Sequence, residues 1–160
     1  MSTVGRTERF AQVPHKSRVS TRRRLPPPAA FALFIDRIVL SVENVLVNLN
    51  DARRIAMSLP EVTEEPHFEY TSFRVKGRIF ATAPPDGAHL HIFVSDEDRE
   101  PALFMEPEVI EKLLWGGKVC GLRVALRRAK MPMVARLLKK AWLRRAPKAL
   151  AATVRASERA

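Results

Sequence analysis

Apolar positions first become regular near residue 50. Ala52, Ile55, Ala56 and Leu59 recur at helical spacing and form one face. Asn50 is placed to cap that helix, Asp51 suits the positive end of its dipole, and Pro60 stops it. Glu61 to Tyr70 reads as a polar connector. The pattern then changes to alternation. Ser72–Val75 and Ile79–Ala83 read as strands joined by Lys76-Gly77, a tight hairpin signal. In that register Phe73, Val75 and Phe80 share the core face, Arg74 points to the other face, and Arg78 sits beside the tip.

Pro84-Pro85-Asp86-Gly87 is a turn. Ala88–Val94 follows as a third strand, with Leu90 and Ile92 on one face and His89, His91 and Phe93 on the other. Ser95-Asp96-Glu97-Asp98 opens a helix that Pro101 limits or kinks. Trp115-Gly116-Gly117 is a break, and Lys118–Leu126 reads as a strand. Met133–Arg145 is the clearest helix, with Val134, Leu137, Leu138, Ala141 and Trp142 in one stripe and Pro147 ending it. No internal repeat is present. Strands clustered between an opening and a closing helix predict an α+β fold: a small antiparallel sheet with an N-terminal and a C-terminal helix packed on it.

The pattern divides the chain into a leader over residues 1–46, a domain over 47–150 and a basic C-terminal tail over 151–160. The leader carries Arg6, Arg9, Lys16, Arg18, Arg22, Arg23 and Arg24 against Glu8 as far as Pro26-Pro27-Pro28. It has too few large apolar side chains to offset the entropy of ordering. Ala29–Leu46 is at most weakly helical, with Phe31, Phe34, Ile35, Ile38 and Val42 at helical spacing. A transit peptide, a nucleic-acid-binding arm and sequence upstream of the natural start all fit such a leader. The third is favoured, because a self-sufficient domain begins at Val47, a valine start is available to bacteria, and the Ala/Arg/Pro bias suggests a GC-rich gene.

Composition narrows the class. Hydrophobic content of 46% and charged content of 28% are ordinary for a globular domain. A net charge of +11 and a pI near 10.8 are not, and they attract polyanions. The longest apolar run, Ala29–Leu40, is broken by Asp36 and Arg37, so nothing approaches the roughly 20 apolar residues of a membrane span, and no membrane partner is expected. Cys120 is the only cysteine, which excludes an intrachain disulfide or a thiolate metal cage and fits a reducing cytoplasm.

Several segments carry a family resemblance. Leu59-Pro60-Glu61-Val62-Thr63-Glu64-Glu65-Pro66-His67-Phe68 resembles the opening motif of the MmcQ/YjbR family, as does Phe73-Arg74-Val75-Lys76-Gly77-Arg78-Ile79-Phe80-Ala81-Thr82. Glu106-Pro107-Glu108-Val109, Trp115-Gly116, and Ala141-Trp142 with Ala146-Pro147-Lys148 follow in the family's order. The resemblance spans about Leu49 to Leu150. It implies a CyaY-like α+β fold whose hairpins act as a double wing, and a DNA-binding role. It supplies no catalytic residues. The chain departs from the family at Arg127-Arg128-Ala129-Lys130, where an acidic turn is expected, and at the basic helix end Arg144-Arg145.

Charge is segregated along the chain. Acids outnumber bases from Val47 to Gly117, whereas from Lys118 onward the only acid is Glu158. Arg136, Lys140 and Arg144 recur every four residues and stack on the helix side opposite Trp142, a row able to follow a phosphate backbone. The candidate nucleic-acid contacts are therefore Arg74, Lys76 and Arg78 on the first hairpin, and Lys118, Arg123, Arg127, Arg128, Lys130, Arg136, Lys139, Lys140, Arg144 and Lys148 in the basic half. Few aromatics interleave with these bases, which argues against a stacking platform for single strands.

Other constellations are thinner. His89 and His91 point the same way but lack a third metal ligand. His67, between Glu65 and Glu69, has the surroundings of a general base, yet no nucleophile is signalled beside it, and a structural imidazole is the plainer reading. Cys120 reads as a small packed hydrophobe. Gly116-Gly117-Lys118 lacks the length of a phosphate-binding loop, and Glu97, Asp98 and Glu100 read as helix-start charge. No cofactor, metal or catalytic residue is assigned. The expectation is a non-enzymatic domain binding DNA weakly through phosphates. The alternative is a module docking an acidic protein partner, and an enzyme using His67 is third.

Overall fold

The computed structural model describes residues 46–159. A capping box opens the first helix, α1 (Leu49–Ser58). The Asp51 N–H donates to Asn48 Oδ1 at 3.0 Å, and the Asn48 N–H donates to Asp51 Oδ2 at 3.2 Å. The cap is thus Asn48 rather than Asn50, and Asp51 reaches back to it from the third helical position. Asn48→Ala is expected to lower the unfolding free energy by about 1 kcal/mol. Urea denaturation checks this, with the midpoint shifting at unchanged slope.

Glu61–Tyr70 is not a connector. Val62–His67 forms strand β1, antiparallel to β2 (Tyr70–Val75), with the register running from Val62↔Val75 to His67↔Tyr70. β1 is the outermost strand, so none of its side chains is buried and no apolar alternation marks it. Pro66, which has no N–H to donate, is tolerated at an edge. The turn Phe68-Glu69 lacks the usual Gly or Asn. Phe68 takes φ +55°, a left-handed position where glycine is preferred, so this turn is held at a cost of about 1–3 kcal/mol.

The expected hairpin follows. Lys76 and Gly77, at φ 48° and 78°, make the two-residue turn into β3 (Arg78–Ala83). β4 is His89–Ile92, β5 is Ile110–Trp115 and β6 is Lys118–Ala125. The six strands form one sheet in the order β1-β2-β3-β4-β6-β5, and every neighbouring pair is antiparallel. β5 was not anticipated. It forms the second edge and buries only Ile110, so it too lacks a clear alternation.

Helix α2 (Asp96–Met105) is capped by Ser95 and contains Pro101. After a short turn of 3₁₀ helix, Leu126–Arg128, comes α3 (Met131–Arg145), and α4 (Lys148–Arg159) follows. The predicted stripe of α3 is buried throughout, together with Phe73, Val75, Phe80, Leu90 and Ile92. The basic stretch from residue 151 is not a loose tail. It continues α4, which packs Ala151 and Val154 into the core and directs its cations outward. The α+β class therefore holds, with a larger sheet and one more closing helix than expected. The leader lies outside the described residues apart from Leu46, which bridges to Lys130. Among the described residues no helix is long and apolar enough to cross a membrane.

Candidate nucleic-acid interface

The candidate bases divide into those already engaged and those left open. Arg74 pairs with Glu65 at 3.3 Å, Lys76 with Glu61 at 2.7 Å, Arg123 with Glu111 at 2.8 Å and Arg128 with Glu108 at 2.7 Å. Lys139 pairs with Glu158. The α3 row is exposed at Arg136, Lys140 and Arg144, as its spacing requires. It is not a free row, however. Lys140 Nζ lies 2.7 Å from Asp98 on α2, and Arg144 donates to the Val94 and Phe93 carbonyls at 2.8 and 3.3 Å. The hydrogen bond from Lys140, reinforced by that from Ser95, holds the Asp98 carboxyl below its ordinary range. Arg78, Lys118, Arg127, Lys130, Arg136 and Lys148 remain exposed without an acidic partner among the described residues.

Sheet topology sorts these open bases. The β2–β3 and β5–β6 turns lie at the same end of the sheet, which brings Arg78 and Lys118 to that end. Arg127 and Lys130 follow β6 at the opposite end. Arg136 lies on α3, and Lys148 opens α4. The bases thus surround the domain instead of forming a single track.

A feature that sequence reasoning missed lies on the sheet face away from the α1 and α3 core. Register places Tyr70, Ser72 and Arg74 of β2, Thr82 of β3, and His91 of β4 on that face. A groove of about 480 Å³ runs across it, from His67 and Phe68 at the β1–β2 turn to Leu114 and Trp115 at the β5 tip. Tyr70, His91, Phe93 and Ile79 line its floor, and Arg145 of the last α3 turn closes one side. Phe68 is 91% exposed, Leu114 61% and Trp115 75%, so both rims present bare apolar surface. Alternation predicts which strand residues face away from the core. It does not reveal that four separate elements bring their aromatic residues to one groove.

The groove also fixes the fate of the candidate chemistry. His67 packs edge-on against Phe68, with ring centres 4.9 Å apart. His91 lies against Tyr70 at 5.8 Å, and burial, aided by nearby Arg123, pushes its pKa below 6.5. That shift favours its neutral form. His89 is turned aside, its Nδ1 lying 2.7 Å from Asp86 Oδ2. The Cys120 thiol donates to the Leu113 carbonyl, and burial raises its pKa, which keeps it protonated and weakly nucleophilic. No group of His, Cys, Asp and Glu among the described residues is arranged to hold a metal ion. Arg145 is the groove's permanent charge. Its Nε is buried without a hydrogen-bond partner. Burial, then the neighbouring Arg144 and Arg78 cations, lower its pKa.

No functionally curated protein matches the chain. Its fold is similar to the crystal structure of the Deinococcus radiodurans protein DR2400, which carries a DUF419 domain. The TM-score is 0.57 at 20% identity, over 71% of this chain and 91% of that one. A family model described as YjbR matches residues 57–144, from the end of α1 to the last turn of α3. That stretch is more than half of the chain and holds the whole sheet and every groove-lining residue but Arg145, so the chain belongs to the YjbR family.

Proposed function

We propose that this domain is a non-enzymatic, cytoplasmic nucleic-acid-binding module that holds DNA weakly, mainly through phosphates. The observation that carries the reading is the set of exposed bases without acidic partners: Arg78, Lys118, Arg127, Lys130, Arg136 and Lys148. The paired bases add to it, because exposed ion pairs are worth at most about 1 kcal/mol and exchange readily for phosphate. A second reading, docking of an acidic protein, draws on the bare apolar rims at Phe68 and Trp115.

The test is a fluorescence-anisotropy titration of labelled duplex DNA at several salt concentrations. Phosphate contacts alone give dissociation constants of about 10⁻⁴ to 10⁻⁶ M at physiological salt, and each contact contributes about −0.9 to the slope of log K against log salt. Changing Arg78 and Lys118, which share one end of the sheet, together to Gln is expected to flatten that slope by about 2 units, equally for every sequence. Absence of salt-dependent binding by the parent protein overturns the reading. An acidic protein bound in its place establishes the second one.

A further inference from the structure

We propose that the groove on the open sheet face is a stacking site for unpaired bases of single-stranded nucleic acid, with Arg145 taking a backbone phosphate. The inference rests on the nucleic-acid reading above and names the substrate class that this part of the surface takes. The groove is unusually rich in flat rings. Phe68, Tyr70, His91, Phe93 and Trp115 all line it, and His67 stands edge-on behind Phe68. Ring faces of this kind stack with any base, because every base has a π-face. No carboxylate lines the groove, and Arg145 is the side chain lining it that carries a permanent charge. The occupant must therefore combine flat apolar groups with negative charge.

Two further observations favour this occupant. Arg145 lines the groove without an acidic partner among the described residues, and a guanidinium so placed would take a phosphate oxygen through a charge-assisted hydrogen bond. Phe68 is held in a left-handed conformation and is 91% exposed, so neither backbone preference nor core packing accounts for a large ring there. A ring that serves as one wall of a stack accounts for both its size and its exposure. Duplex DNA cannot use the groove in this way, because its bases already stack on each other. Binding at the groove is thus separable from binding through the outer cations.

The experiment titrates the full chain with three probes of equal length at one salt concentration: an oligo-deoxythymidine strand, the same strand paired with oligo-deoxyadenosine, which doubles the phosphates, and an abasic strand. The thymidine strand is expected to bind at least about tenfold more tightly than the other two. It is also expected to quench the tryptophan emission, since Trp115 is exposed while Trp142 is sealed in the core. Phe68→Ala with Trp115→Ala, both at exposed positions, is expected to remove that tenfold preference and leave duplex binding unchanged. Arg145→Gln is expected to weaken the single strand more than the duplex. Equal binding of all three probes by the parent overturns the inference while leaving the phosphate reading standing. Binding of none overturns both. An acidic aromatic peptide that displaces the thymidine strand at lower concentration than free strand does overturns it in favour of a protein partner.

Discussion

Trp142→Ala is expected to lower the unfolding free energy by about 3–5 kcal/mol, the cost of removing the largest aromatic side chain from a packed core. Trp142 is fully buried in α3 and is the largest such side chain in the domain. It also carries a tie between distant segments, since its Nε1–H donates to the Pro60 carbonyl at 3.1 Å, just past the end of α1. Truncation therefore leaves a cavity and an unpaired carbonyl together. Total stability of a domain this size is about 5–15 kcal/mol, so the variant loses a large share of it. Urea unfolding followed by far-ultraviolet circular dichroism checks the value. Trp142→Phe separates the two contributions, because it fills most of the space and loses only the hydrogen bond, for about 1 kcal/mol or somewhat more. A shift below about 1 kcal/mol for the alanine variant contradicts this account of the core.

Gly121→Ala is expected to cost about 1–3 kcal/mol, as overpacking against an unyielding wall does. A Cβ on Gly121 would run into the carbonyl of Ile92 and come within 3.2 Å of the Phe93 Cα. Both obstacles are backbone atoms next to the β4–β6 ladder, where Ile92 pairs with Leu122. They cannot give way as a flexible side chain would. Relief requires prising β4 from β6, the junction between strands β1–β4 and the β5–β6 hairpin. The same denaturation measurement reads the loss. Hydrogen exchange at the Leu122 and Val124 amides is expected to quicken more than exchange in β2, because the strain is local to the central pair.

These two positions mark what periodicity makes legible and what it hides. Trp142 belongs to a buried stripe with helical spacing, and Phe73, Val75, Leu90 and Ile92 alternate as half-buried strands should, so the core was readable from local pattern. Strands β1 and β5 were not, because edge strands bury little and give no alternation, Pro66 argues against a strand, and the Phe68-Glu69 turn has no Gly or Asn. Helix α4 was hidden by its charge, although its apolar Ala151 and Val154 sit one turn apart. Most of the candidate bases are exposed, but Arg74, Arg123 and Lys139 are half-buried. Which of them remain unpaired depends on acids far away in sequence, such as Asp98 beside Lys140 and Glu108 beside Arg128. The aromatic groove is the extreme case. Its rings come from segments that meet only through the sheet order, so the scarcity of aromatics among the basic runs was no guide to a stacking surface.

The two sheet edges also differ in a way that bears on self-association. β1 is guarded by Glu64, Glu65 and Pro66, which discourage another strand from adding to it. β5 carries Glu111 and Lys112 near its start but ends in Leu113-Leu114-Trp115, a stretch open to strand addition by a second molecule. At low ionic strength the net charge of +11 keeps copies apart. Added salt screens that repulsion over a shorter distance while leaving the apolar edge unchanged. Salt would thus act in opposite senses: it would weaken the proposed phosphate contacts while removing the repulsion that keeps molecules from approaching each other along β5.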